Sequence, residues 1–187
     1  MKLSVTIMAH PRRREMVTEL LKQLPDTPVF WDTDNNLWHT CKGAWLMHDP
    51  TADYHVVLQD DALLCDDFMQ RATETLEQLE RESAVCFFVG DKAKPYGGRP
   101  FYNRKIFNEV AICLPTHDIV PMVNFCDSMK ATTDRDIERY CKRRRLPVYY
   151  PQPSLVDHRE GPSLYRFVYR KPVPQTARTA FQFIDHV

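Results

Sequence analysis

Residues 54–68, YHVVLQDDALLCDDF, decide the fold of this chain, because an apolar run leads directly into two adjacent carboxylates. The run at residues 55–58 is apolar and largely β-branched, and it is short enough for a strand that is buried on both faces. In α/β sheets built from such strands, ligands bind at the carboxyl ends. Asp60 and Asp61 fall at that edge, where oxygen ligands suit Mg²⁺ or Mn²⁺ and such ions share their coordination with substrate phosphates.

A plainer interpretation of Asp60 and Asp61 is that they open a helix, because aspartate caps helices and complements their dipole. Asp66 and Asp67 stand next to the following helical stretch and already fill that role. Asp60 and Asp61 are then left over for another purpose. Both interpretations stay open at this point.

The composition excludes a strong global electrostatic field. The chain has 187 residues, with 25 Lys and Arg against 25 Asp and Glu, so its net charge is +0. Any site for DNA or another polyanion must therefore be a local basic patch. The apolar N-terminal stretch is too short for a signal peptide, and no run approaches the length of a membrane span.

The six cysteines are far apart and contain no CxxC pair. This pattern excludes a zinc ribbon and is typical of reduced core residues in a cytoplasmic protein.

The apolar pattern alternates between short strands and amphipathic helices, which predicts an α/β fold with a mostly parallel sheet flanked by helices. Strands are expected near residues 2–9, 28–31, 54–59, 84–89, 110–114 and 146–150. Helices are expected near residues 11–24, 37–47, 67–81, 117–129 and 134–145. We expect one catalytic domain over residues 1–160, and an irregular arm or lid, rich in Pro, Arg and aromatic residues, over residues 161–187.

The turn after the first strand, HPRRR at residues 10–14, would lie beside a nucleotide phosphate in a doubly wound sheet. It lacks GxGxxG, and the chain has only 5 glycines, so a dinucleotide fingerprint and a P-loop are both excluded. His10 could instead bond the turn, with the arginines forming a solvated first helical turn. One arginine contacting a diphosphate is the functional alternative.

Three later segments carry further candidates. His158 ends a Pro-rich extended segment and could ligate Mn²⁺, although a loop histidine is often polar surface. Asp134, in the sequence TTDRD, is either a helix cap or a general base that deprotonates an attacking hydroxyl, and Asp136 is the weaker candidate for that base. The aromatic residues of the loop at residues 91–108 either stack on a sugar or base, or fold back into the domain.

The order of the motifs HPRR, QDD, TTDRD and PSLVDH resembles GT-A-type nucleotide-sugar glycosyltransferases. It is more closely similar to short glycosyltransferase-like proteins encoded by bacteriophages. The resemblance covers roughly residues 2–158. It implies a metal-dependent transfer of a sugar from a nucleotide-sugar donor, a UDP-sugar, to a hydroxyl acceptor, with Mn²⁺ or Mg²⁺ as cofactor.

The resemblance also implies roles for single residues. Asp61 and His158 would bind the metal ion, and Asp60 would contact ribose or metal. Asp134 would be the general base, followed by Asp136. The positions that would hold the donor nucleotide are His10, Arg12, Asp32 and Asp34. The chain departs from the family pattern at Gln59 and Thr133, where an acidic residue is usual.

A phage protein would act in the host cytoplasm, and a hydroxymethylated base in phage DNA would be one acceptor for it. The Arg-rich tail and residues 142–145 would then contact phosphates. Protein or glycan acceptors remain alternatives. Two other functions also remain open: a non-catalytic nucleotide or glycan-binding module of the same fold, which Gln59 and Thr133 favour, and, less favoured, a metal-dependent phosphodiesterase.

Overall fold

The expected alternation of strands and helices is present in the computed structural model, which describes residues 1–131, 136–159 and 179–186. The strands are β1 (Leu3–Ala9), β2 (Val29–Trp31), β3 (Tyr54–Gln59), β4 (Ala62–Leu64), β5 (Ala84–Cys86), β6 (Phe101–Asn103), β7 (Ala111–Pro115), β8 (Val148–Tyr150) and β9 (Val156–His158). The helices are α1 (Arg14–Gln23), α2 (Leu37–Leu46), α3 (Phe68–Glu77), α4 (Thr116–Ser128) and α5 (Asp136–Arg144). Short 3-10 turns cover Pro11–Arg13, Asp91–Tyr96 and Ile184–His186.

The main sheet of the described chain has seven strands in the order β2-β1-β3-β7-β5-β8-β6. Strand β1 is parallel to β2 and β3, and β5 is parallel to β8. Because β7 is antiparallel to both β3 and β5, these five strands all run in the same direction. β6 is antiparallel to β8. The predicted α/β class with a mostly parallel sheet is confirmed.

Each face of the sheet is covered by helices, so β3 is buried on both sides. Val56 and Leu58 pack in one apolar cluster with residues of α1 and α3, whereas Val57 packs in the other with residues of α2, α4 and α5. This is the alternation that a central strand requires. Trp38 and Trp45 of α2 are buried core residues.

All six cysteines are free and buried. Burial raises the pKa of Cys65 to about 11 and that of Cys141 to about 12, so both thiols are protonated at neutral pH. Their role as reduced core residues is consistent with this chemistry. Among the helices of the described part of the chain, none is both long and apolar enough to span a membrane.

Of the two Asp pairs, the second departs from the expectation. Asp67 precedes α3 in a left-handed conformation with φ of 54°, and its side chain makes no capping hydrogen bond. The side-chain capping role predicted there is therefore wrong for Asp67. Asp60 and Asp61 do not open a helix either, because they form the turn between β3 and β4. β4 pairs with β9 in a small second sheet that the sequence pattern did not indicate.

The loop at residues 91–108 folds back onto the domain. Phe101 is buried, and its ring stacks on Tyr96 at 3.7 Å and on Tyr150 at 4.8 Å between centroids. Of the two alternatives for these aromatic residues, internal packing is the one that the structure supports.

Residues 179–186 also return to the domain: Phe181 N–H donates to Val89 O at 2.7 Å, and Phe183 is buried in the core. The greater part of the predicted arm, residues 161–178, lies outside the described residues, so the division at residue 160 stays a prediction.

Candidate donor and metal site

Three loops meet at one edge of the sheet because the strands that precede them are parallel. β1 leads into residues 10–13, β2 into residues 32–35, and β3 into Asp60 and Asp61. The pairs Ala9 with Trp31 and Met8 with Gln59 keep the strand ends level. The candidate site residues predicted from these three segments are therefore neighbours at the carboxyl edge of the sheet, where α/β folds bind ligands.

An open cleft of about 420 Å³ lies between the first two loops. It is lined by His10, Pro11, Arg12, Asp32, Thr33, Asp34 and Asn35. The four residues predicted to hold the donor nucleotide are all in this set. Asp32 also shapes the cleft wall, since its Oδ1 accepts hydrogen bonds from the backbone N–H groups of Asp34 at 3.1 Å and Asn35 at 2.8 Å.

His10 connects the cleft to the acidic turn. Its backbone N–H donates to Asp60 Oδ2 at 2.8 Å, and its Nδ1 accepts from the Arg12 N–H at 3.1 Å. The side chain thus caps the 3-10 turn at Pro11–Arg13, which is the structural role considered from the sequence. Its Nε2 lies 3.4 Å from Asn35 Oδ1 on the other cleft wall, so the histidine also spans the two loops.

Asp61 and His158 are brought together by the small second sheet. In the β4–β9 pair, Ala62 lies opposite His158, and the Arg159 N–H donates to the carbonyl oxygen of Asp61 at 2.8 Å. The His158 Nε2 is consequently 3.1 Å from Asp61 Oδ2. Both residues predicted to bind a metal ion therefore share one location.

Arg13 was not singled out among the three arginines of the first turn, yet it contacts both acidic residues. Its Nη1 donates to Asp60 Oδ1 at 2.7 Å and also to Asp61 Oδ2. The arginine side chain is only 15% exposed. Arg13 lies five residues beyond Met8, which pairs with Gln59 at the end of β3, but this spacing does not distinguish it from Arg12 or Arg14.

Burial and neighbouring cations act on the two carboxylates in opposite directions. Burial raises the pKa of Asp60 above its ordinary value, although the His10 N–H and Arg13 oppose the shift. Burial alone would also raise the pKa of Asp61, but His158 and Arg13 together hold it below the ordinary value. Asp61 is therefore ionised at neutral pH and available as a hard oxygen ligand.

The residues at Asp61 fit a divalent ion. Asp61 Oδ1 is buried and has no hydrogen-bond partner among the described residues. Carboxylate oxygen combined with imidazole nitrogen is a donor set that Mn²⁺ accepts. The nearby Arg13 guanidinium is a second cation at the same carboxylates.

Asp134 lies outside the described residues, so its predicted role as base stays a prediction. Asp136 begins α5, and its Oδ1 is 2.9 Å from Arg139 Nη1. The next residue, Ile137, lines a small cavity together with Glu109, which precedes β7 at the carboxyl edge of β3. α5 therefore begins at the same end of the sheet as the acidic turn, and Glu109 is a carboxylate at that end that the sequence did not indicate.

A different His and acid cluster lies at the opposite edge of the sheet. His117 Nε2 is 3.3 Å from Glu82 Oε1 and 3.7 Å from Asp118 Oδ2, and one ligand atom from each residue lies within 4.8 Å of the others. These distances would permit a metal ion. Arg144 already contacts both acids, through Nε to Asp118 at 3.1 Å and through Nη2 to Glu82 at 3.2 Å. This cluster is separate from the predicted pair of Asp61 and His158.

No family model and no curated protein sequence matches this chain. Solved structures match it in fold. A Bacillus anthracis protein assigned as a glucose-1-phosphate thymidylyltransferase, in complex with sucrose, superposes with a TM-score of 0.50 at 12% identity, over 83% of this chain and 89% of that chain. A197 from STIV superposes with a TM-score of 0.52 at 14% identity, over 86% and 87% of the two chains.

A mutant of Drosophila β1,4-galactosyltransferase 7, in complex with manganese, UDP-Gal and xylobiose, superposes with a TM-score of 0.44 at 12% identity, over 93% of this chain and 82% of that chain. This overlap is too loose to support an argument. The first two matches establish a shared fold and nothing more. Sequence identities of 12% and 14% are too low to transfer an activity from one protein to the other. Both matches agree with the α/β class, a mostly parallel sheet flanked by helices, and say nothing of the reaction.

Proposed function

We propose that this chain is a metal-dependent glycosyltransferase that moves a sugar from a UDP-sugar or a related nucleotide-sugar donor to a hydroxyl acceptor. The observation that carries the proposal is the junction of two features: a polar cleft lined by His10, Arg12, Asp32 and Asp34, and a buried acidic turn joined to it by the His10 N–H. A nucleotide in the cleft would direct its diphosphate towards Asp60 and Asp61.

In this proposal the cleft residues bind the donor and the acidic turn holds the ion. Arg12 is exposed on the cleft wall and supplies a positive charge for the diphosphate. Asp61 and His158 hold Mn²⁺ or Mg²⁺, with Asp60 beside them. The ion supplies Lewis-acid stabilisation of the leaving diphosphate when it is bound.

Acceptor activation falls to an acidic residue of the TTDRD sequence, residues 132–136, which ends at the first residue of α5. We assign the general base to Asp134, which would take the proton of the acceptor hydroxyl in a direct, inverting displacement. Asp136 is the second candidate, because α5 begins at the carboxyl edge. An Asp134→Asn variant that turns over donor and acceptor at the normal rate would remove Asp134 from this role.

The acceptor proposed here is a hydroxyl group on a protein or glycan. The basic run at residues 142–145 does not favour DNA, because most of its side chains already contact their own fold. Lys142 pairs with Glu138, Arg143 lies over the Phe125 ring at 5.6 Å, and Arg144 binds Asp118 and Glu82. Binding of hydroxymethylated duplex DNA that weakens steeply with salt would restore the DNA acceptor.

The test is release of nucleoside diphosphate from a panel of nucleotide sugars, with Mn²⁺ and with EDTA. We expect turnover of one UDP-sugar in Mn²⁺, and its loss both in EDTA and in Asp61→Asn. Equal turnover in EDTA and in Mn²⁺ would exclude the metal role. Hydrolysis of a phosphodiester to a phosphomonoester and an alcohol would point to the phosphodiesterase alternative.

A second function, binding of a nucleotide sugar without turnover, is favoured by one observation. The Arg13 guanidinium already compensates both carboxylates of the acidic turn. Calorimetry that detects nucleotide-sugar binding with the same affinity in Mn²⁺ and in EDTA, together with no diphosphate release, would establish this alternative.

A further inference from the structure

Two buried carboxylates in adjacent residues require a compensating positive charge, because burying an unpaired ion is costly. Asp60 and Asp61 are 5% and 4% exposed. The Arg13 guanidinium is a positive charge beside them, and the His158 imidazole contacts Asp61 Oδ2, the same oxygen atom that Arg13 contacts. Arg13 is the group that contacts both carboxylates.

The position of Arg13 is set by the backbone and not by a flexible loop. The 3-10 turn Pro11–Arg13 follows β1 directly, Pro11 fixes its first residue, and His10 caps it. From there one nitrogen atom, Nη1, reaches an oxygen of each carboxylate. A divalent ion at this turn would likewise place one positive group between the two carboxylates.

The oxygen atoms of Asp61 are not equally available. Oδ2 already faces both Arg13 Nη1 and His158 Nε2, whereas Oδ1 is buried without a hydrogen-bond partner among the described residues. An ion that used Oδ1 and the imidazole would stand next to the guanidinium, and two cations a few ångströms apart in a buried site repel each other strongly.

We propose that Arg13 is an intramolecular competitor of the divalent ion: its guanidinium occupies the acidic turn in the free protein and must give up at least one carboxylate when the ion binds. The inference rests on the proposed ion site at Asp61 but not on catalysis. It makes Arg13 the residue that sets how much Mn²⁺ the protein needs.

The experiment measures Mn²⁺ binding to the free protein, by the loss of the electron paramagnetic resonance signal of free Mn²⁺. All proteins carry His117→Ala, so that the cluster at the opposite edge does not contribute. Arg13→Met removes the charge and keeps a long side chain. Arg14→Met is the matched control. The Arg14 guanidinium lies over the Trp31 ring at 4.8 Å, and within the described part of the chain it forms no ion pair with Asp60 or Asp61.

We expect Arg13→Met to bind Mn²⁺ at least about tenfold more tightly than the parent, and Arg14→Met to bind it as the parent does. Adding Asp61→Asn to Arg13→Met should remove the gain. Arg13→Lys, which keeps the charge on a single ammonium group, should lie between the parent and Arg13→Met. It gives the same test if the methionine variant does not fold.

Equal or weaker Mn²⁺ binding by folded Arg13→Met, or by Arg13→Lys where only that variant folds, would overturn the inference. The result is independent of the proposed function. Tighter Mn²⁺ binding without turnover of any nucleotide sugar would keep the role of Arg13 and reject the glycosyltransferase. Metal-dependent turnover with unchanged Mn²⁺ affinity in the variants would do the reverse.

Discussion

His158 Nε2 lies 3.1 Å from Asp61 Oδ2, and this contact is built by backbone pairing, since β9 places His158 opposite Ala62, the residue after Asp61. The proposed ligand pair, Asp61 and His158, is therefore held by two strands of a small sheet and does not depend on side-chain packing alone. A site on such a support is already close to its binding geometry before a ligand arrives.

Removing the Asp61 carboxylate should abolish stabilisation by Mn²⁺. An ion that binds only the folded chain raises the unfolding midpoint by mass action. Asp61→Asn keeps the side-chain volume but loses the anionic ligand. In a thermal unfolding scan with His117→Ala in every protein, we expect Mn²⁺ to raise the midpoint of the otherwise wild-type chain and to leave that of the Asp61→Asn variant unchanged. Asp66→Asn, at an exposed position in the second Asp pair, is the control and should respond like the wild type.

Neutralising Arg12 should weaken nucleotide binding without unfolding the domain. Arg12 is exposed on the cleft wall, so Arg12→Met loses a charge that would face the diphosphate and little packing. We expect the Kd for UDP to rise about tenfold in calorimetry, the loss typical of a charged contact of a little over 1 kcal/mol. Arg14→Met, two residues further along the chain, should bind UDP normally. An equal loss of UDP affinity in both variants would argue for a general charge effect.

The sequence was sufficient for those parts of the site that depend on parallel strands. An apolar run ending in Asp60 and a first strand ending at His10 meet at one edge as soon as the two strands are parallel, and this follows from the alternating pattern. The contact between His158 and Asp61 could be anticipated only from the family resemblance, because β4 and β9 have three residues each and no periodicity marks them.

Two features could not be read from the pattern at all. The role of Arg13 depends on which of three adjacent arginines a 3-10 turn directs inward, which is a matter of backbone geometry. The failure of Asp67 to cap α3 has a similar origin: its left-handed backbone is incompatible with the extended conformation that a capping residue adopts.

Ser154 should be important for stability although it lies outside the cleft. Its Oγ accepts from the Val89 N–H at 3.0 Å and lies 2.9 Å and 2.7 Å from the carbonyl oxygens of Phe87 and Val156, one of which receives its proton. The residue is fully buried. Ser154→Ala leaves the Val89 N–H unsatisfied and should lower the free energy of unfolding by about 1–3 kcal/mol in urea.

The control for this loss is Ser128→Ala, which removes an exposed hydroxyl bonded to Phe125 O. We expect it to change the unfolding free energy by less than about 0.5 kcal/mol. Because Ser154 lies just before β9, the alanine variant should also weaken Mn²⁺ binding at His158. Wild-type stability in Ser154→Ala would show that water replaces the lost hydroxyl.

His55 should make the fold sensitive to mild acid. It is fully buried in β3, and its Nδ1 lies 2.8 Å from Ser4 Oγ. Burial, with a smaller effect of His48, lowers the pKa of His55 from 6.5 to about 4. Protonation therefore favours the unfolded chain, so the stability is fully present above pH 6.5 and is lost as the pH falls from 6.5 towards 4.

Between pH 7 and pH 4.5 we expect His55 to remove roughly 2–3 kcal/mol from the free energy of unfolding, measured by urea titration at each pH. Other groups titrate in this range, so the comparison is with His55→Gln, which cannot gain the proton and should show a shallower slope. His39→Gln, at an exposed position, should keep the wild-type slope. Parallel slopes for wild type and His55→Gln would mean that the imidazole is protonated inside the fold, with its charge stabilised by a partner such as Ser4 or the Ala44 carbonyl.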